Sequence, residues 1–281
     1  MQKTLKRYFP IFVGPTLIAF AFAFIIPFVQ GVYLSFCKFT TVGNAQWVGV
    51  DNYVKALTAQ NDFVYSFGVT ALFTVISVIS VNILAFCIAL LLTRKLRGTN
   101  FFRTVFFLPN LIGGIVLGYT WQQMINAILY KYGTTIVSEF KYGFIGLIVL
   151  MNWQLIGYMM IIYIAGLQNI PTELIEAAEI DGATSMQTLF KVKIPMVMPS
   201  ITICMFLTLS NSFKLFDQNL SLTAGAPMHK TEMLALNIFQ TFYGKVGQEG
   251  VGQAKAVLFF IIVTAISVIQ LYATRRKEVE Q

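Results

Sequence analysis

The sequence predicts an all-α polytopic membrane protein with six transmembrane helices and cytoplasmic N and C termini, forming a single transmembrane domain over residues 1–281. Three observations predict it. Of the 281 residues, 57% are hydrophobic and 11% charged, with a mean hydropathy of +0.71, whereas soluble domains carry about 25% charged residues. Six apolar runs, near 9–36, 69–93, 105–128, 144–167, 197–216 and 256–273, are on the scale of the ~20 residues that span a bilayer. The basic residues then fall on alternate sides of these runs, and unequally.

Lys3, Lys6 and Arg7 precede span one; Arg94, Lys95, Arg97 and Arg103 lie between spans two and three; Lys191 and Lys193 precede span five; Arg275, Arg276 and Lys277 follow span six. The opposite loops hold Lys38, Lys55, Lys131, Lys141, Lys230 and Lys245, while Lys214 and Lys255 sit at span edges. That asymmetry is the positive-inside pattern, and it accounts for the net charge of +8 without a nucleic-acid partner.

Span one carries Pro10, Pro15 and Pro27, and proline inside a membrane helix frees carbonyls, so this span is expected to bend or break and to pack on protein. Its start resembles a signal peptide, with Ala19-Phe20-Ala21 as a small-residue site. A secretory apolar region is only about 7–15 residues long, and this run continues past Pro27, so an uncleaved span is expected. Pro109 and Gly113-Gly114 predict a kink in span three. The segment between spans five and six reads as glycine-rich loop, too short for a separate module. Cys37, Cys87 and Cys204 show no CxxC spacing and are read as packing or lipid-facing thiols rather than metal ligands. His229, alone in a polar loop, is read as solvated.

The most informative stretch is the polar island 168–196 between spans four and five. Glu173, Glu176, Glu179 and Asp181, a third of the chain's acids, crowd into its first half. Thr172 is expected to cap a short helix with acids in its first turns, and Leu174, Ala177, Ala178 and Ile180 give it an apolar side. Asp181-Gly182 stops it, Ala183 follows, and Thr184-Ser185-Met186-Gln187 fits a capping box for a second short helix that ends near 191–195. A helix resting on anionic headgroups expects a basic polar face. This one is acidic, which favours docking onto a cytoplasmic partner.

These residues carry a resemblance. EAAEIDGA (176–183) followed by Ile194-Pro195 resembles the EAA loop of ABC importer permeases, in particular the carbohydrate-uptake, maltose-type branch. FFRTVFFLP (101–109) with Trp121, WQLIGYMMIIYIAGLQNIP (153–171), and TAGAP (223–227) with Thr231-Glu232 extend the resemblance over most of the chain. Ile194-Pro195 stands for the usual Leu-Pro, TAGAP lacks the full glycine run, and the extra domain of the enterobacterial maltose subunit is missing, so ordinary six-span members are the nearer relatives.

The resemblance implies a bacterial or archaeal plasma-membrane permease for an oligosaccharide or other carbohydrate. It implies a coupling hairpin, Glu173, Glu176–Glu179 and Asp181–Ala183, inserted into an ATPase cleft. The implied partners are a second homologous six-span permease, two ATPase subunits that hold the ATP and Mg, and an extracytoplasmic solute-binding protein. This chain itself is expected to be non-catalytic and without cofactor. A related polyol or glycerol-phosphate-type solute is the alternative cargo.

The residues themselves agree with a non-catalytic chain. There is no G-x-x-x-x-G-K-[ST] phosphate loop, no GxSxG, and no carboxylate pair inside a span from which to build a catalytic site. A proton- or sodium-coupled secondary transporter expects ionisable or unwound sites at mid-membrane, whereas these spans are almost free of charge, with Lys214 and Asp217 near an edge. A neutral sugar needs amides, hydroxyls and aromatic faces. Spans four and five flank the hairpin and offer Asn152, Gln154 and Tyr158, and Thr208, Asn211 and Ser212. Asn152 and Tyr158 are about 120° apart around a regular helix, and Thr208 and Asn211 share a face. For each the competing reading is an interhelical packing bond; the resemblance favours substrate contact. Lys214 and Asp217 are expected to form an outer gate or docking pair.

Overall fold

A computed structural model describes residues 9, 13–58, 62–94 and 98–276. Lys3, Lys6, Arg7, Pro10, Lys95, Arg97 and Lys277, used above, lie outside the described residues. Four helices are long and apolar enough to cross a membrane: α1 (Val13–Leu34), α3 (Phe63–Leu92), α6 (Phe140–Gln168) and α12 (Glu249–Arg275). Two bent helix pairs, Thr99–Leu111 with Gly114–Tyr132 and Ser185–Met196 with Met198–Phe213, raise the number to six if each pair is one span. The chain divides into two compact units, the described residues up to Phe63 with Ile238–Ile261, and Val64–Asn237 with the described residues from Ile262.

In the first unit the prolines of α1 do not break it, contrary to the sequence expectation. Pro27 has no N–H, and its ring would strike the carbonyl four residues back. The turn before it, Ala21–Ile25, widens to a π-helical turn, with Ile26 N–H donating to Ala21 O, so the helix passes Pro27 without interruption. One stripe packs on α12, where Phe28 meets Phe260 edge-on with centroids 5.0 Å apart; of Val13–Leu34, only Leu34 is buried.

After α1, β1 (Cys37–Lys38) pairs antiparallel with β2 (Gln46–Trp47). The short helix α2 (Asp51–Ala56) returns Asn52, whose Nδ2 donates to Ser35 O and Cys37 O at 2.9 and 2.8 Å. One amide thus satisfies two carbonyls left open where helix gives way to strand. Lys255 of α12 is fully buried, with Nζ donating to Thr241 Oγ1 at 2.7 Å.

In the second unit α3 and α6 form the core with Phe73, Ala85, Leu147, Met151, Met160 and Tyr163. Around them lie α4 (Thr99–Phe107), α5 (Gly114–Leu129), α7 (Thr172–Ile180), α8 (Ser185–Met196), α9 (Met198–Phe213) and α10 (Asp217–Leu222). Close approach is bought with glycine, as is usual where no hydrophobic force drives membrane helices together. A Cβ on Gly157 of α6 would lie 1.9 Å from the Phe106 carbonyl oxygen of α4, and one on Gly118 of α5 would lie 1.8 Å from Ser221 Oγ of α10.

Two sequence expectations change here. Span three is not one kinked helix but two helices at 102°, because Ile112 and Gly113 adopt extended backbone after Pro109. The second hairpin helix ends where expected, at Met196 after a π turn at Leu189–Lys193, and the chain then bends by 70° into α9, where a proline occupies the first turn. The segment between spans five and six is not simple loop, since α10 and α11 (Leu234–Gly244) occupy it. Asn219 of α10 ties the intervening turn down, donating to Thr231 O at 2.8 Å and accepting from Met233 N at 2.9 Å.

Candidate functional site

Six polar side chains of the second unit line a recess of about 330 Å³. Asn110 reaches it from the 3-10 turn that ends α4, Gln154 and Tyr158 from α6, Asn211 and Lys214 from the end of α9, and Gln218 from the first turn of α10. Met151, Leu155 and Leu215 supply its apolar wall. Gln154 and Tyr158 are four residues apart and so share a helix face. Gln154 anchors the arrangement: its Nε2 donates to Ile112 O at 3.4 Å, and its Oε1 accepts from Gln218 Nε2 at 2.7 Å. The carbonyl of Ile112 is available because the backbone is extended there.

Chemically, the lining offers four carboxamides, each both donor and acceptor, a phenol with an aromatic face, and one ammonium group. No carboxylate or imidazole lines it among the described residues, and its amides and phenol can hold a polyhydroxylated solute by hydrogen bonding.

Of the sequence-predicted residues, the structure brings Gln154, Tyr158, Asn211 and Lys214 together. It does not bring in the others. Asn152 faces away around α6, donating to Ile148 O at 2.8 Å, with its Oδ1 buried and unpartnered. Thr208 lies one turn deeper in α9 and is buried; its hydroxyl donates to Cys204 O at 2.8 Å and accepts from Asn82 Nδ2 of α3 at 3.3 Å. That amide also holds Tyr163, whose hydroxyl donates to Asn82 Oδ1 at 2.6 Å. Ser212 is buried with an unpartnered hydroxyl.

Lys214 and Asp217 form no ion pair among the described residues; Asp217 opens α10 and packs on Gly114 of α5 instead. Sequence reasoning missed Asn110 and Gln218. Gln218 is an amide just outside the fifth apolar run and Asn110 an amide inside the third, beside the helix-bending Pro109, and those positions were the signal. His229 is not simply solvated: its Nδ1 pairs with Oε2 of Glu232, a carboxylate only 2% exposed.

The polar island folds as a helical hairpin. α7 begins at Thr172, so Thr172 is its first residue and not its cap; Pro171 holds the preceding extended position without a side-chain bond. Ala183 N–H donates to Ala178 O at 2.9 Å and Gly182 N–H to Glu179 O at 3.1 Å, the paired bonds of a Schellman stop. Gly182 sits at φ +75°, where an L side chain is strained. Thr184 then caps α8 reciprocally, its backbone N–H donating to Gln187 Oε1 at 2.7 Å and its hydroxyl accepting from Gln187 N at 3.3 Å. Glu173, Glu176, Glu179 and Asp181 are exposed and make no ion pair among the described residues. Ile180 beside them is 86% exposed, and Met186 and Phe190 are also exposed.

Comparison with known proteins fits this geometry. Residues 99–279, from α4 onward, match the family described as "Binding-protein-dependent transport system inner membrane component". A probable starch degradation products transport system permease protein of Thermoanaerobacterium thermosulfurigenes is 44% identical over 278 residues, covering 96% of this chain and 94% of that protein. A multiple sugar-binding transport system permease protein of Streptococcus mutans is 31% identical, covering 99% of each. Among solved structures, a bacterial ABC transporter involved in import of the acidic polysaccharide alginate superposes with a TM-score of 0.82 over 98% of both chains, at 18% identity, and so shares the fold. The hairpin and the recess both lie inside the matched region, and this chain belongs to the binding-protein-dependent transport system inner membrane components, the permeases of ABC transporters.

Proposed function

We propose that the chain is a permease subunit of a binding-protein-dependent importer that carries an oligosaccharide or related carbohydrate into a bacterial or archaeal cell. The observation that carries this reading is the recess. Four carboxamides and Tyr158 surround a space about 330 Å³ in volume, with no carboxylate among the described residues that line it, which suits a solute rich in hydroxyls. The carbohydrate names of its relatives support the same class.

In this reading residues 1–281 act as one permease domain with six spans and cytoplasmic termini, paired with a second permease. Two ATPase subunits hydrolyse ATP with Mg, an extracytoplasmic solute-binding protein delivers the sugar, and this chain does no chemistry. The hairpin from α7 to α8 enters the ATPase cleft; its exposed Ile180, Met186 and Phe190 supply contact area and its four acids keep it soluble and select a basic rim.

A second reading, a polyol- or glycerol-phosphate-type solute, rests on Lys214, an ammonium in the recess without a carboxylate partner among the described residues. Proteoliposomes holding the assembled complex, its binding protein and internal ATP separate the two. Uptake of radiolabelled maltooligosaccharides, reduced by Tyr158→Ala and Asn211→Ala with assembly and ATP binding unchanged, is expected. Uptake of glycerol phosphate alone would select the second reading. Unaltered kinetics in both variants would return Tyr158 and Asn211 to helix packing.

A further inference from the structure

We propose that the cleft between α4 and α6, separate from the recess and the hairpin, is a binding site for one anionic phospholipid. The cleft holds about 250 Å³ and is lined by Arg103, Thr104 and Phe107 of α4 and by Ile161 and Ile164 of α6. Its walls are apolar apart from two groups. The Thr104 hydroxyl is spent within its own helix, donating to Asn100 O at 3.0 Å. That leaves the guanidinium of Arg103 as the polar group offered to a ligand.

The guanidinium is only partly satisfied. Nη2 donates to Leu92 O at the end of α3, at 3.4 Å, while Nε is buried and has no acceptor. A buried donor on a cation calls for a charged oxygen acceptor. Among the described residues no carboxylate forms an ion pair with Arg103; Glu139, the single acid between Leu92 and Gln168, pairs with Lys141 at 2.9 Å.

Depth identifies the acceptor. Leu92 closes a 30-residue apolar helix and Arg94 follows it, which places the guanidinium where hydrocarbon gives way to headgroups. The oxygen acceptors at that level belong to phosphodiesters, and basic pockets between membrane helices take anionic headgroups. Phe107, Ile161 and Ile164 then provide the surface for one acyl chain. The exposed Phe101, Phe102 and Val105 of α4 extend the apolar face beside it.

The test uses the assembled complex, purified through a tag on this chain into nanodiscs of phosphatidylcholine with phosphatidylglycerol and released for native mass spectrometry. One phosphatidylglycerol is expected to stay bound, with phosphatidylcholine stripped and excess inorganic phosphate unable to displace the lipid. Arg103→Gln should lower its retention about fivefold, the effect of one basic contact at the headgroup level. Ile161→Trp fills the cleft with the guanidinium intact and should do the same, so the test survives if Arg103→Gln fails to assemble. Equal retention in wild type and both variants would overturn the proposal. Displacement by inorganic phosphate would overturn it as well, and so would capture of the second permease by a photocrosslinker placed at Thr104.

Discussion

Gln218 Nε2 donates to Gln154 Oε1 at 2.7 Å, joining the first turn of α10 to the middle of α6 across the floor of the recess. Without this bond each amide would present a free donor and acceptor to the cavity; with it, the pair is pre-oriented and Gln154 can also hold Ile112 O. Gln154→Ala and Gln218→Ala are each expected to weaken apparent sugar affinity about fivefold, matching the ~1 kcal/mol net value of a neutral hydrogen bond. The double variant should lose less than the sum. Uptake titrations on all four proteins check this, and strictly additive losses would show that the bond does not organise the recess.

The hairpin turn makes a sharper demand. Gly182 at φ +75° donates its N–H to Glu179 O, and proline can supply neither the angle nor the hydrogen. Gly182→Pro is expected to insert and assemble normally yet lose uptake and substrate-stimulated ATP hydrolysis. Gly182→Ala, which costs about 1–2 kcal/mol at a left-handed position, should fall between it and wild type. Wild-type ATPase stimulation in the proline variant would mean the turn takes no part in coupling.

Within the bilayer, Asn82 joins three helices through Tyr163 and Thr208. Removing the phenol in Tyr163→Phe strands Asn82 Oδ1 and should lower stability by about 0.6–1.7 kcal/mol, the range for interhelical bonds in membranes. A lower midpoint in SDS denaturation reads this out. Thr208→Ala should weaken the same network while leaving the KM for uptake unchanged; a raised KM would place Thr208 on the sugar path after all.

A steric prediction comes from α4 and α6. Because a Cβ on Gly157 would lie 1.9 Å from Phe106 O, and backbone cannot yield as a side chain can, Gly157→Ala should cost about 1–3 kcal/mol, as overpacking does. Fluorescence-detected size exclusion after heating should show earlier loss of the complex. Gly14→Ala, with nothing within 4 Å of its Cβ, is the control expected to match wild type.

What the sequence disclosed follows from how local each signal is. The hairpin was legible because Asp181-Gly182 and Thr184–Gln187 fix their own backbone through bonds spanning three to five residues. Thr172 misled only because Pro171 already occupies the extended position before the helix. In the recess, Gln154, Tyr158 and Asn211 stood out as polar groups in apolar runs. Helix rotation is set by tertiary packing, so nothing local told Asn211 from Thr208 or Tyr158 from Asn152. Asn110 and Gln218 enter the recess from helix ends created by the 102° bend after α4 and by α10, features of packing that composition does not encode. The partner of His229 was hidden for a similar reason, since pairing it with Glu232 depends on the turn that Asn219 pins.

The placement of Cys204 beside Met159 gives the chain a mechanical property. Cys204 Sγ approaches Met159 O at 3.7 Å near the midpoint of α9, with Met198 at the hairpin end and Asn211 at the recess end. On α6, Tyr158 sits beside this crossing and about 15 Å of unbroken helix leads from it to Gln168. The two helices meet at this thiol–carbonyl contact, and the α7–α8 hairpin joins the ends that lead away from it, at Gln168 and Met198. A rotation of about 10° over an arm of that length moves its tip by roughly 2.5 Å, close to the length of one hydrogen bond. A displacement of the hairpin is therefore expected to change the gap between Gln154 and Asn211, and distances between spin labels at those two positions in the assembled complex, with and without ATP, check this.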